Sequence, residues 1–239
     1  MAETVLEAEN LSMRFGGVVA VNHVNLKLRR NELMCLIGPN GAGKTSFFRC
    51  LTGQYRPSEG DVWIAGQKTT GLRMHEIARL GVGLKTQVPS LMNGLSVYEN
   101  LWLGARRRHE PLEANRRVDQ LLEELNVSEM ARNLTGQLAH GVRQVVEIGV
   151  ALSTEPWLLL LDEPAGGLTH DEAMRIGDLV KALAKRITVV VVEHDMAFVR
   201  HIAQRVVVFH QGSIIADGDT EKVLSNPRVR EVYLGSKVQ

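Results

Sequence analysis

The sequence of 239 residues holds only two cysteines, Cys35 and Cys50. One falls in an apolar strand pattern and the other in a helix pattern. Buried reduced thiols are therefore expected, and a disulfide framework or cysteine-bound metal is not. Charge of one sign is not in excess either: 28 Lys and Arg stand against 27 Asp and Glu, leaving a net charge of +1. The two signs are interspersed, which provides neither a basic face for nucleic acid nor an acidic tail. Long hydrophobic runs are missing. Even the longer ones, such as 33–37, 157–161 and 189–192, fall far short of the ~20 residues that cross a bilayer. Residues 1–10 carry acids rather than a basic and then apolar leader, so an unexported, intracellular chain is expected. Repeats, low-complexity tracts, long linkers and coiled-coil heptads are also absent.

What is present is a hydrophobic content of 44%, enough for one large domain or two tightly joined ones. Apolar runs at 33–37 and 157–161, and the nearly continuous ones at 187–192 and 205–209, broken only by Thr188 and Arg205, predict strands buried on both faces. Helical spacings lie between them, as in Val118, Leu121, Leu122 and Leu125, and again in Ile176, Leu179, Val180 and Leu183. Alternating strands and helices imply an α/β fold with a parallel sheet. Residues 5–15 and 18–28 instead form two extended segments joined at Gly16 and Gly17, and 61–65 alternate polar with apolar. These predict an antiparallel β layer before the parallel sheet. Residues 88–154 show helical patterns and no convincing strand. The expected organisation is a single domain with a core of residues 1–87 and 155–239 and a helical insertion at 88–154.

Gly38, Pro39, Asn40, Gly41, Ala42, Gly43, Lys44 and Thr45 match G-x-x-x-x-G-K-[ST] between a predicted strand and a predicted helix. The glycines let the loop curl so that successive N–H groups face a di- or triphosphate, and the helix N-terminus adds partial positive charge. Lys44 is expected to be solvated and to hold the β and γ phosphates. Thr45 is expected on Mg²⁺, and Ser46 on a phosphate oxygen. The apolar run at 157–161 ends in Asp162 and Glu163, which places two carboxylates at the carboxyl edge of the sheet beside this loop. Asp162 fits a Mg²⁺ partner, and Glu163 fits a base for an attacking water. His194 follows another apolar run, where either a γ-phosphate contact or a structural role is open.

Taken together these residues resemble an ABC transporter ATPase, a P-loop NTPase with a RecA-like parallel sheet core, an N-terminal antiparallel β layer and an inserted helical subdomain. The resemblance covers nearly the whole chain. It implies ATP and Mg²⁺ as cofactors, His194 as the switch histidine, and Gln87 as the Q-loop glutamine that reads Mg²⁺ and meets the membrane partner. It also makes Phe15 the aromatic that stacks on adenine; from the residues alone, a core aromatic in an edge strand is equally open. Leu138, Ala139, His140, Gly141 and Val142 fall where the family has the signature that contacts ATP bound by the opposite subunit.

Within the family, the stretches at 140–149, 163–168, 192–196 and 231–235 are similar to ATPases of branched-chain amino acid importers, and 209–213 to those of the related urea importers. The resemblance implies a motor subunit that works with two membrane permease subunits, a second ATPase subunit in a head-to-tail dimer and, indirectly, a periplasmic substrate-binding protein, at the cytoplasmic face of the inner membrane. A urea or short-amide importer ATPase, a soluble ABC ATPase outside transport and an ATP-binding regulator with little turnover are the alternatives. The regulator is suggested by the departures at Ala139 and Val142 in the signature.

The signature usually reads L-S-G-G-Q, so Ala139 lacks the hydroxyl. The loop after the acids usually ends in aspartate and here ends in Thr169, which with Glu172 forms a predicted capping box. Arg106, Arg107, Arg108 and His109 form a dense basic run expected in a solvated loop, with lipid head groups or a permease loop as the alternative. Residues 88–103, including Pro89, Leu91, Met92 and Trp102, are apolar enough for a permease groove, with core packing claiming Leu101 and Leu103 as the rival.

Overall fold

The computed structural model describes residues 3–88 and 90–235. Pro89, one of the apolar residues expected in the permease groove, lies outside the described residues. The chain opens with a hairpin of β1 (Thr4–Phe15) and β2 (Val18–Arg29), then β3 (Leu33–Ile37) and α1 (Lys44–Leu51). There follow β4 (Glu59–Ile64), β5 (Gln67–Lys68), α2 (Met74–Arg79) and β6 (Val82–Lys85). Three helices come next: α3 (Val97–Ala105), α4 (Pro111–Glu124) and α5 (His140–Leu152). The chain then alternates through β7 (Leu158–Asp162), α6 (His170–Ala184), β8 (Thr188–Val192), α7 (Met196–Ile202) and β9 (Arg205–His210). It finishes with β10 (Ser213–Asp219), α8 (Thr220–Ser225) and α9 (Pro227–Gly235).

Two sheets result. The first is antiparallel, in the order β2-β1-β4-β5, and the second runs β10-β9-β3-β8-β7-β6 with every pairing parallel except β9 with β10. Consecutive residues of the central strands enter different cores. Leu33, Cys35 and Ile37 pack with the helices α3 to α7, whereas Met34 and Leu36 pack with α1 and the antiparallel sheet. The same division separates Leu159 and Leu161 from Leu158 and Leu160, and Val189 and Val191 from Val190 and Val192. This two-sided burial is why these strands read as continuous apolar runs; each such side chain contributes roughly 1.5–3 kcal/mol of transfer free energy.

Capping fixes where several helices start. Ser96 and Glu99 form a capping box on α3, Thr169 and Glu172 form the expected one on α6, and Asp195 caps α7 by accepting from Ala197 and Phe198 N–H. Cys35 and Cys50 are both buried and free, and burial pushes the Cys50 thiol up to about 12. Both are inert thiols. Among the described residues no helix is long and apolar enough to cross a membrane.

Candidate active site

The phosphate loop joins the end of β3, the strand between β8 and β9, to the start of α1. Two of its glycines are required by close approach. A Cβ on Gly38 (φ +151°) would sit 2.3 Å from Phe209 O, and one on Gly43 (φ +104°) would sit 2.2 Å from Ala20 O. Asn40 and Gly41 are exposed at the rim, while Pro39, Thr45 and Ser46 are half-buried and Ala42 is buried. No side chain caps α1, so its first turn presents N–H groups and the positive end of the helix dipole to the loop.

Lys44 is not solvated as expected. It is 6% exposed, and its Nζ donates to Gly38 O at 2.7 Å and Pro39 O at 3.0 Å, closing the loop on itself. The physical reason is that the curled loop turns two carbonyls inward, and the ammonium is the nearest donor. Burial lowers the Lys44 pKa, against the opposing pull of Glu163, Asp162 and Glu193.

Because β8 pairs in parallel with β3, and β7 in parallel with β8, their carboxyl ends deliver the acids and the histidine to the same sheet edge. Asp162 is 3% exposed, and its Oδ1 is buried with no hydrogen-bond partner. Burial, reinforced by the neighbouring Glu163 charge, raises its pKa to about 6. Glu163 is a non-glycine residue at φ 47°, tethered by its N–H to Val192 O at 2.9 Å. Its Oε2 accepts from Gln87 Nε2 at 3.1 Å, and its Oε1 lies 3.5 Å from His194 Nδ1. Gln87, Glu163 and His194, which lie far apart in sequence, therefore converge. A non-glycine residue held at positive φ, with two polar side chains from distant segments converging on its carboxylate, is a candidate functional position.

Two buried charged residues of the site escaped the sequence reasoning. Glu193 accepts from the N–H groups of Ala165 and His194 at 3.0 Å and of Asp195 at 3.4 Å, fixing the loops that carry Glu163 and His194. Burial raises its pKa against those bonds. An acid placed directly after an all-apolar strand is the signal that marks it. Lys85, at the end of β6, reaches the backbone of Asp162 and Glu163.

Phe15 ends β1, an inner strand rather than an edge strand, and is 43% exposed rather than in the core. Tyr55 meets its ring edge-on at 5.3 Å, and Arg49 holds the Tyr55 hydroxyl at 2.7 Å. The result is an exposed aromatic face on a braced platform, suited to stacking a planar base.

Ala139 occupies the N-cap of α5 and makes no side-chain cap bond. Ala139 and His140 are exposed, Leu138 and Val142 half-buried and Gly141 buried. A Cβ on Gly141 would meet Glu172 Oε1 at 2.7 Å. His140 Nε2 lies 3.0 Å from Gly166 O, and Gly166 N–H donates to Glu163 O at 3.2 Å. The predicted signature thus abuts the loop after Glu163.

Of the apolar stretch after Gln87, Val88, Met92 and Leu103 are exposed, Trp102 is half-buried, and Leu91, Val97 and Leu101 are buried. Core packing claims Leu101 but not Leu103. The arginine run is not simply solvated, because Arg106 packs over Trp102 and bonds His109 O, and Arg108 donates to Thr154 O and Glu155 O. The accepting carbonyls lie in the connections that follow α3 and α5. Arg107 alone of the three is exposed without such a bond among the described residues.

No group of three His, Cys, Asp or Glu side chains among the described residues could hold a metal, which excludes a protein-built cage there. A hard cation held partly by phosphate oxygens asks less of the protein. Asp162 Oδ1, buried without a partner, fits that requirement. The Thr45 hydroxyl and the Gln87 side-chain carbonyl are oxygen donors of the right kind.

A phosphate loop ahead of a helix and a carboxylate pair on the same edge of a parallel sheet define a P-loop nucleoside triphosphatase. Residues 21–166 match the family described as ABC transporter, and 213–238 match the one described as branched-chain amino acid ATP-binding cassette transporter. The high-affinity branched-chain amino acid transport ATP-binding protein BraF of Pseudomonas aeruginosa is 39% identical, over 98% of this chain and 99% of that protein. The ADP conformation of MJ1267, an ATP-binding cassette of an ABC transporter, superposes with a TM-score of 0.87 at 30% identity, covering 98% of this chain and 99% of that one. The dimeric post-hydrolysis structure of the cassette MJ0796, bound to ADP and Pi, has a TM-score of 0.80 at 26% identity, covering 90% of this chain and 98% of that one. The chain belongs to the ABC transporter ATPase family.

Proposed function

We propose that this ATPase is the motor of an importer for branched-chain amino acids, working at the cytoplasmic face of the membrane with two permease subunits. A second ATPase subunit and a periplasmic binding protein complete the assembly. The match over residues 213–238 supports the substrate class. The observation that carries the enzymatic reading is the convergence of Gln87 and His194 on Glu163, at 3.1 and 3.5 Å, beside the phosphate loop.

In this reading residues 1–87 and 155–239 form the nucleotide-binding core, and 88–154 form a helical subdomain. Phe15 stacks on adenine. The N–H groups of residues 38–46 cradle the phosphates, and Lys44 exchanges its two loop carbonyls for phosphate oxygens. Thr45, Asp162 and Gln87 hold Mg²⁺, which when bound neutralises phosphate charge and polarises the bond that breaks. Glu163 takes the proton of the attacking water, and His194 orients the reacting group from the other side of that carboxylate. Leu138, Ala139, His140, Gly141 and Val142 face the ATP of the partner subunit. The exposed Val88, Met92 and Leu103 are the surface offered to a permease.

The test is uptake by proteoliposomes containing the assembled transporter. ATP-dependent accumulation of labelled leucine, lost in Glu163→Gln, is the expected result. Accumulation of urea instead, or ATP hydrolysis with no uptake of either, overturns the substrate assignment.

A further inference from the structure

Lys85 closes β6 two residues before Gln87, and its side chain is 4% exposed. Nζ donates to the carbonyl oxygens of Asp162 at 3.2 Å and Glu163 at 3.3 Å, and it lies 3.9 Å from Oε2 of Glu147, itself 5% exposed, on α5. Burial lowers the pKa of Lys85 and raises that of Glu147, while their mutual attraction opposes both shifts. Two charges at this depth carry a desolvation cost that apolar residues of similar volume avoid. Stability alone therefore gives no reason for the pair.

Its place in the fold does. Glu163 sits in a left-handed turn at φ 47°, a conformation that persists only where the surroundings impose it. The N–H of Glu163 is bound by Val192 O at 2.9 Å, and its carbonyl is bound by Lys85 and by Gly166 N–H at 3.2 Å. Lys85 is in turn oriented by Glu147, on the helix whose first turn carries residues 140–142.

We propose that Lys85 and Glu147 form a positioning pair that holds the Glu163 turn in its reactive geometry and ties that geometry to the placement of α5. The pair touches no reacting atom. Its effect passes through the backbone of Glu163, and the inference rests on Glu163 being the general base. Movement of the signature helix toward a partner subunit is then felt at the base through this buried pair, alongside the exposed His140–Gly166 contact, so only a correctly docked α5 supports turnover.

The test compares Lys85→Met/Glu147→Leu, which leaves no unpaired buried charge, with Lys85→Arg, Glu147→Gln and Glu163→Gln. Turnover at saturating ATP is measured in the assembled transporter. Affinity for a non-hydrolysable ATP analogue and amide exchange are measured on the full chain. The double variant is expected to lose about tenfold or more in kcat, as misplacement of a reacting group does, with analogue affinity within about twofold of the parent. Exchange at Ala165 and Gly166 is expected to accelerate without nucleotide, while β3 and β8 stay protected. Lys85→Arg, which keeps donors for both carbonyls, is expected to restore most of the turnover.

Parental kcat in the double variant, or analogue affinity falling in step with kcat, overturns the inference. If the double variant does not fold, the same kcat and affinity comparison on Glu147→Gln decides, and parental kcat there overturns it. Turnover surviving in Glu163→Gln identifies the base assignment, rather than the positioning pair, as the point of failure.

Discussion

Gln87 Nε2 donates to Glu163 Oε2 at 3.1 Å, across 76 residues of chain. One end of this bond belongs to the loop after β6, which continues into the exposed apolar surface at Val88 and Met92. The other end is the carboxylate beside the phosphate loop. The candidate base is thus one side chain away from the loop that carries this surface.

Lys44→Ala removes the donor to Gly38 O and Pro39 O as well as the phosphate ligand. ATP affinity is expected to fall about tenfold or more, the usual worth of a charge-assisted hydrogen bond. Because two loop carbonyls lose their partner, the nucleotide-free protein is expected to melt a few degrees lower rather than unchanged. Calorimetric titration and thermal melting read the two effects separately, and unchanged ATP affinity contradicts the assignment of the loop.

Asp162 gives the pH dependence. Its folded pKa of about 6 lies above its ordinary 3.8, so the folded chain keeps a proton that the unfolded chain has released. The stability this group contributes is fully present below 3.8 and is lost as pH rises through about 6. Asp162→Asn is expected to gain stability relative to the parent across that window, on the order of 1–3 kcal/mol, in chelator-treated, nucleotide-free protein. Glu147 and Glu193 shift in the same direction, so the difference between the two proteins, and not the parent alone, isolates Asp162. A pH-independent difference contradicts the assignment.

Ala139→Ser supplies the cap that α5 lacks. The new oxygen accepts from a first-turn N–H while its hydroxyl donates outward, so capping and phosphate binding do not compete. Helix stability is expected to rise by roughly 0.5–1 kcal/mol without nucleotide. ATP-driven dimer closure is expected to tighten by a few-fold to about tenfold. Equal closure in parent and variant, read by ATP-dependent dimerisation, shows that backbone N–H groups already suffice.

The central strands and the phosphate loop were legible because their cause is local. Burial on both faces of β3, β7 and β8 leaves uninterrupted apolar runs, and the loop's curl demands glycine at fixed positions. β6 and β10 were not seen. β6 has four residues, one of them Gly83, and β10 is half-exposed with a weak pattern. The Lys85–Glu147 pair was hidden for a different reason: its two charges come from separate elements, and only the tertiary fold shows that they face each other. The burial of Lys44 has no sequence signal, because loop carbonyls that turn inward leave no mark there, whereas the Thr169 capping box lies within four consecutive residues and is legible.

Glu163→Gln tests the account most directly, because the amide keeps the size of the side chain and loses the proton acceptor. Single-turnover hydrolysis and ATP-dependent dimerisation are measured on the same preparation with ATP and Mg²⁺. The account predicts parental ATP affinity, hydrolysis slowed about 100-fold or more, and accumulation of a closed dimer. Hydrolysis at the parental rate contradicts it.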